Sequence, residues 1–262
     1  MKIVLARLSK AGLTLGREKC EFNKRSVKFL GQIVDESRVR PDPEKVRAIQ
    51  QMLTPSTVSE LRRFLGMVNQ QSKFSPHLAE QTKPLRDLLS KKNQWSWGHE
   101  QQQAFERLKA ALSSSEVLAL YDARNETTIS TDASSYGLGA VLRQTQPNGS
   151  LRPIAYVSRA LTDAEQRYAQ IEKEALAVTW ACERFQDYLL GTKFKVETDH
   201  KPLVPLLSSK ALNSVPVRVQ RFRLRLMRFN FTITRAGQGA EHRRHAIPST
   251  SCGSGHQQFV NE

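Results

Sequence analysis

Residues 127–144 read TTISTDASSYGLGAVLRQ. The first five alternate β-branched or apolar residues with small polar ones, the pattern of a half-buried strand, and the run ends on a carboxylate, Asp132. Small residues and two glycines follow, and a second apolar run, GLGAVLRQ, begins at once. LRPIAYVSRAL at 151–161 makes a third run, set off by the turn tripeptide Pro147–Gly149. Three runs with short breaks predict a three-stranded antiparallel meander.

Downstream of it, one long helix is expected from about Thr162 to Tyr188. Ile171, Ala175, Val178, Cys182, Phe185 and Leu189 share one side, with Leu176 and Trp180 on the other. Apolar residues on two sides imply a helix held between a sheet and further helices. KFKVETDH (193–200) reads as a fourth strand, KPLVPLLSS (201–209) as a short helix, VPVRVQRFRLRLMRF (215–229) as a basic helix and NFTIT (230–234) as a fifth strand. The order β-β-β-α-β-α-α-β defines an α/β fold, a mixed five-stranded sheet with flanking helices.

Upstream, to about Asp122, the chain reads as one short strand followed by helices. VKFLGQIV (27–34) has a strand's composition, and RPDPEKVRAIQQML (40–53) places two prolines where a helix would begin. Thr57 and Glu60 form a capping-box pattern ahead of LRRFLGMV, in which Leu61, Phe64, Leu65 and Val68 share a face. EQQQAFERLKAALS (100–113) predicts another helix with Ala104, Leu108 and Ala111 inward. A small helical packing unit and a nucleic-acid-contacting segment both remain open here.

The chain has 262 residues, with 40 Lys plus Arg against 25 Asp plus Glu, a formal charge of +15 and a pI near 10.0. That balance points to a polyanionic partner. A hydrophobic fraction of 39% and a mean hydropathy of −0.49 are enough for a packed core and exclude wholesale disorder. Cys20, Cys182 and Cys252 are too dispersed for a disulfide framework or a zinc site. No apolar run approaches the roughly 20 residues of a membrane helix, and Arg7 and Lys10 interrupt the opening MKIVLARLSKAGL. An intracellular location, cytoplasmic or nuclear, with no membrane partner, is therefore expected.

Three carboxylates stand where a domain gains little from them. Asp132 ends one strand, Asp199 ends another in V-E-T-D-H, and Glu174 borders the apolar stripe of the long helix. Each taken alone reads as a cap or turn residue. Together they make a cluster of hard oxygen ligands suited to Mg²⁺, and two such ions roughly 4 Å apart would serve phosphodiester hydrolysis. Glu172 projects about 160° away from Glu174 and is expected on another surface. In the basic helix, Arg218, Arg221, Arg225 and Arg228 fall within an arc of about 80°, opposite Val219, Phe222 and Leu226. Seven basic residues and no acid lie between Lys201 and Thr234. This row predicts salt-sensitive contacts with a phosphate backbone.

ISTDASSYGLGAVL, YAQIEKEALAVTWACERFQDYLLG and FKVETDHKPL resemble the RNase H domain of gypsy-type LTR-retrotransposon Pol polyproteins. LSKAGLTLGREKCEF, VKFLGQIVDESRVRPDPEKVRAI and ELRRFLGMVN resemble the palm end, thumb and connecting region of the same polyprotein's reverse transcriptase. The resemblance implies four segments: palm end and thumb over 1–84, connection over 85–123, an RNase H-like domain over 124–234, and a tail over 235–262. It also implies hydrolysis of the RNA strand of RNA–DNA hybrids, with Asp132, Glu174 and Asp199 matching three of the family's four metal-binding carboxylates. An integrase or transposase core would share sheet and carboxylates, but T-D-H-K-P-L and E-K-E-A-L belong to the nuclease pattern.

The chain departs from the family in two ways. It contains no Y-x-D-D polymerase motif, so no DNA synthesis is expected of it. The family closes on a segment like H-V-P-G-K followed by A-D-A-L-S-R, whose Asp is the fourth ligand, whereas TRAGQGAEHRRHAIPST stands here with His245 nearest that position. Permitted codons for this stretch, read one base later, encode H-V-P-G-K-E-L-N-T-A-D-T-L-S-R. The tail is therefore expected to be out-of-frame sequence, which the coding DNA checks directly. His242, His245, Cys252 and His256 are too irregularly spaced for a metal site. Loss of the fourth acid predicts weak or absent activity with Mg²⁺ and partial rescue by Mn²⁺, which accepts nitrogen ligands more readily. The rival expectation is an inactive retroelement remnant that only binds nucleic acid.

Overall fold

The computed structural model describes residues 2–16, 18, 20–90, 93–114 and 117–236. The proposed tail, with His242, His245, Cys252 and His256, lies outside the described residues from 237 onward.

After helix α1 (Lys2–Lys10), which buries no residue, come strands β1 (Ser26–Phe29), β2 (Gln32–Asp35) and β3 (Arg38–Pro41). VKFLGQIV is thus a hairpin and not the single strand expected. Leu30 and Gly31, with φ of 47° and 76°, form its two-residue turn, and left-handed central residues match the right-handed twist of the paired strands. Antiparallel pairing continues from β2 to β3 and from β3 to a two-residue strand, β4 (Leu118–Ala119), giving a four-stranded sheet.

Helix α2 (Pro43–Gln50) starts where the prolines placed it, with the Asp42 carboxylate accepting from the Glu44 amide. Helix α3 (Val58–Gln70) has the expected cap: the Thr57 hydroxyl accepts from the Glu60 amide, and the Glu60 carboxylate accepts from the Ser56 amide at 2.8 Å. Short helices α4 (Leu78–Gln81) and α5 (Lys83–Asp87) lead to α6 (His99–Ser113). Leu61, Phe64, Leu65 and Val68 pack against Leu78, Leu85, Ala104, Phe105, Leu108 and Leu112. Ala111 is only half-buried, because Phe105 and Leu112 take the core side of α6.

The second sheet has five strands in the order β7-β6-β5-β8-β9: β5 (Thr127–Ala133), β6 (Gly137–Thr145), β7 (Leu151–Ala160), β8 (Lys193–Thr198) and β9 (Asn230–Arg235). β5, β6 and β7 form the expected antiparallel meander, and β8 and β9 join in parallel, so the mixed five-stranded sheet is as read from the sequence. β9 runs through Arg235, and the Ala236 amide donates to the Thr198 carbonyl at 2.8 Å, so the ordered sheet passes the expected boundary at 235.

The single long helix is instead three: α7 (Asp163–Gln166), α8 (Gln170–Arg184) and α9 (Gln186–Leu189). Thr162 and Glu165 close a capping box on α7, and the Glu172 carboxylate accepts from the Ala169 amide at 3.1 Å to start α8 afresh. Two competing start signals within one periodic stretch break the helix at Arg167–Ala169. α8 does lie between layers: it packs on β5 and β6 and is covered by α10 (Leu203–Leu207) and α11 (Val217–Leu226). Val178, Ala181 and Cys182 are fully buried there with Ile129, Val196 and Val219. Burial pushes the Cys182 thiol up to about 12, which leaves it a packing residue.

Candidate active site

β5 and β8 are parallel neighbours, so their carboxyl ends coincide. Their pairing ends at Ser130 opposite Glu197. Asp132 lies two residues past that pair and Asp199 follows the end of β8, which brings both acids to one end of the sheet. Side chains and ligands collect at such strand ends because the ladder no longer occupies the backbone there. Glu174 comes from α8, which crosses β5, and its residue is only 3% exposed.

Gln170 ties helix to strand. Its Nε2 donates to the Ala133 carbonyl at 2.7 Å and to Glu174 Oε1 at 2.8 Å. Glu174 Oε2 is buried and has no hydrogen-bond partner. Burial pushes the Glu174 carboxyl up to about 7; the Gln170 bond opposes that shift, and the charges of Asp199 and Asp132 add to it. Asp132 is also raised, first by partial desolvation, then by Asp199 and Glu80, with His77 acting in the opposite sense. Its side chain is 53% exposed, so that desolvation is incomplete.

The charge of Asp199 thus acts on both Asp132 and Glu174. Among the described residues, however, no three His, Cys, Asp or Glu side chains are already gathered into an ion's ligand sphere. What the site offers is three oxygen donors around one end of the sheet, with an unpartnered buried carboxylate oxygen among them. That donor set fits a hard divalent cation, for which Asp132, Glu174 and Asp199 could supply the ligands.

The raised Glu174 carboxyl makes a prediction for the metal-free protein. The folded state binds this proton more tightly than the unfolded chain, so the contribution is present below the ordinary value of 4.5 and is lost as pH rises through about 7. Glu174→Gln is expected to remove that loss and to stabilise the metal-free protein by about 1–3 kcal/mol at pH 8 relative to pH 5. Denaturant midpoints of both proteins at the two pH values, in the presence of a chelator, check it; a variant that is no more stable at pH 8 contradicts the assignment.

Two residues that the sequence did not single out also stand here. His77, immediately before α4, has φ of 53°, and its Nδ1 is 3.9 Å from Asp132 Oδ2. Glu80, within α4, lies in the same small cleft, with Ser134, Gly139 and Ser158. His77 is the one titratable residue in S-P-H-L, distant in sequence from Asp132, and no spacing signal could have linked them.

The arginine row is arranged as expected, opposite buried Val219, Phe222 and Leu226, but most of it has partners within the chain. Arg218 lies 3.9 Å over the Tyr168 ring and pairs with Glu172 at 2.7 Å. Arg225 forms a two-bond pair with Glu183, and Arg228 donates to Gln186 at 3.4 Å. These contacts clasp α11 to α8 and α9, and Arg221 is an exposed member of the row. Glu172 faces α11, away from Glu174, as the helical angle required. Among the described residues no helix is long and apolar enough to cross a membrane.

The sheet order, the crossing helix and the acids at the strand ends define an RNase H-like domain. Residues 97–196 match the family model of the RNase H-like domain found in reverse transcriptase. The chain is homologous to part of the Pol polyproteins of retrotransposons, and a gypsy-type assignment fits. It is 39% identical over 234 residues to the retrovirus-related Pol polyprotein from transposon 297 of Drosophila melanogaster, covering 89% of this chain and 21% of the relative. Against the Pol polyprotein from transposon opus of the same fly the identity is 40% over 242 residues, covering 88% and 24%. Against the transposon Tf2-3 polyprotein of Schizosaccharomyces pombe it is 35% over 244 residues, covering 92% and 18%. The chain thus spans about a quarter or less of these relatives.

Among solved structures, the foamy viral protease-reverse transcriptase in complex with an RNA/DNA hybrid superposes with a TM-score of 0.72 at 22% identity, covering 97% of this chain and 35% of that one. The same viral protein in complex with dsDNA gives 0.68 at 24% identity, covering 89% and 50%. These likenesses establish the fold.

Proposed function

We propose that this chain is a metal-dependent ribonuclease H that hydrolyses the RNA strand of RNA–DNA hybrids. The observation that carries the reading is the unpartnered, buried Oε2 of Glu174 beside Asp132 and Asp199. An acid left without a donor inside a fold is costly unless a cation or proton satisfies it. Asp132 and Asp199, on adjacent strand ends, would hold the cation, and Glu174 would complete the ligand set and orient the attacking water. Bound Mg²⁺, or Mn²⁺ in its place, would activate that water and stabilise the leaving oxygen of the phosphodiester. Gln170 keeps Glu174 aimed at the strand ends.

The +15 charge favours a nucleic-acid partner, and the foamy viral relatives solved with a hybrid and with dsDNA support it. Arg221, with the outer surfaces of Arg218, Arg225 and Arg228, supplies phosphate contacts in this reading. A second reading, an inactive remnant that binds nucleic acid without cutting it, is favoured by the missing fourth acid of the family pattern, His245 standing nearest its place.

The test is cleavage of a hybrid carrying an end-labelled RNA strand by the purified chain, in Mg²⁺, in Mn²⁺ and with EDTA. Cleavage of RNA in the hybrid only, abolished by EDTA and stronger in Mn²⁺, is expected. Salt-sensitive binding without cleavage in either ion would replace this reading with the remnant.

A further inference from the structure

His77 belongs to none of the motifs that identify the nuclease, and it is carried by the other unit of the chain. Its position is nevertheless fixed by packing. The Ala79 amide donates to Ser158 Oγ on β7 at 3.0 Å, and the Lys83 ammonium lies 4.6 Å from the centre of the Tyr136 ring. Gly137 fits this seam closely: a Cβ there would lie 3.1 Å from the Arg159 carbonyl oxygen and 3.3 Å from Ala79 Cβ, tighter than ordinary contact. The imidazole sits against Gly139, the residue directly opposite Asp132 in the β5–β6 register. A left-handed backbone at a non-glycine residue is uncommon, and His and Asn tolerate it better than most.

Both His77 and Asp132 are about half-exposed, at 52% and 53%, and Nδ1 and Oδ2 are 3.9 Å apart. Two ligands on adjacent vertices of one octahedral ion stand about 3 Å apart, so a closure of about 1 Å by two solvent-facing side chains would bring them onto the same ion. Glu80 adds negative charge to the same cleft. A nitrogen donor shifts preference from Mg²⁺ toward first-row transition ions.

The geometry points to His77 as a further metal ligand, Nδ1 joining Asp132 Oδ2 on one divalent ion, so that the upstream unit completes a metal position of the nuclease unit and biases it toward Mn²⁺. This rests on the metal-dependent reading above. It makes the metal position incomplete without the segment that leads into α4.

The test is Mn²⁺ binding to the whole chain, followed by loss of the free-ion EPR signal and by pulsed-EPR detection of ¹⁴N coupling, with Mg²⁺ affinity measured by competition. His77→Asn keeps a residue that tolerates the left-handed backbone, His77→Gln provides a second replacement, and thermal unfolding confirms that both fold. The expected result is ¹⁴N coupling in the native chain, its loss in both variants, and a fall in Mn²⁺ affinity of about tenfold against about twofold or less for Mg²⁺. Unchanged coupling and affinity in both variants, with binding abolished by Asp132→Asn, would overturn the role of His77 and leave the metal-dependent reading standing. Absence of Mn²⁺ and Mg²⁺ binding by the native chain would overturn both.

Discussion

Asp132→Asn is expected to lower hybrid cleavage by at least about 1,000-fold, equivalent to about 4 kcal/mol of transition-state stabilisation. Hybrid affinity should stay within about twofold, because the basic surface is untouched. The substitution preserves the side chain's size, and the β5–β6 pairing of this residue with Gly139 uses backbone groups alone. It also removes a negative charge that helps to raise Glu174, so the folded protein should not be weakened. Loss of activity would therefore be assignable to the site and not to unfolding. Cleavage by the variant within about tenfold of the native rate would mean that the activity resides elsewhere on the chain or comes from a contaminant.

Phe105→Ala should produce the largest loss of stability among simple core truncations upstream. The ring is 1% exposed, lies 4.6 Å from Phe64 and meets Trp97 edge-on at 5.9 Å. Truncation of a buried phenylalanine costs about 3–5 kcal/mol in transfer and cavity terms. The upstream helices and the five-stranded sheet have separate cores, joined by a small seam of Val39, Phe74, Leu118 and Tyr156. Urea unfolding is expected to show the upstream transition moving to lower denaturant while the transition of the five-stranded sheet holds its midpoint. A single transition displaced as a whole would show instead that the seam couples the two cores into one cooperative unit. Because Leu78 of α4 belongs to the upstream core, the variant should also weaken Mn²⁺ binding through His77 before the sheet itself unfolds.

The RNase H-like unit was legible because each of its strands carries its own pattern and its own punctuation. Asp132 and Asp199 were legible because an acid at the end of an apolar run has no packing reason to be there. Glu174 stood out by lying on a helix's apolar border. VKFLGQIV misled because a leucine fills the first of two left-handed turn positions, where Asn or Asp would have announced a hairpin. The break before α8 was hidden by apolar periodicity that continues through it, although T-D-A-E at 162–165 carried the capping signal. Leu118–Ala119 is too short for any periodicity to mark it as a strand. The arginine row was visible, but its partners were not: Glu172, Glu183 and Gln186 lie more than forty residues upstream, and only the packing of α11 on α8 brings them within reach. His77 reaches the site by the same kind of tertiary contact, which no local pattern encodes.

The central strand pairing also sets a timetable. β5 finds its antiparallel neighbour after a turn of a few residues, but its parallel neighbour holds Glu197, 67 residues beyond Ser130. At roughly 5–20 residues per second of synthesis, β8 reaches solvent several seconds after β5. During that interval the meander presents the future middle of the sheet as a bare edge, with a row of amides and carbonyls open to any other strand. Asp199 arrives only when that edge is sealed. The pairing that closes this edge is thus also the one that brings Asp132 and Asp199 together, and a nascent chain arrested before β8 would be an aggregation template with half of the candidate site.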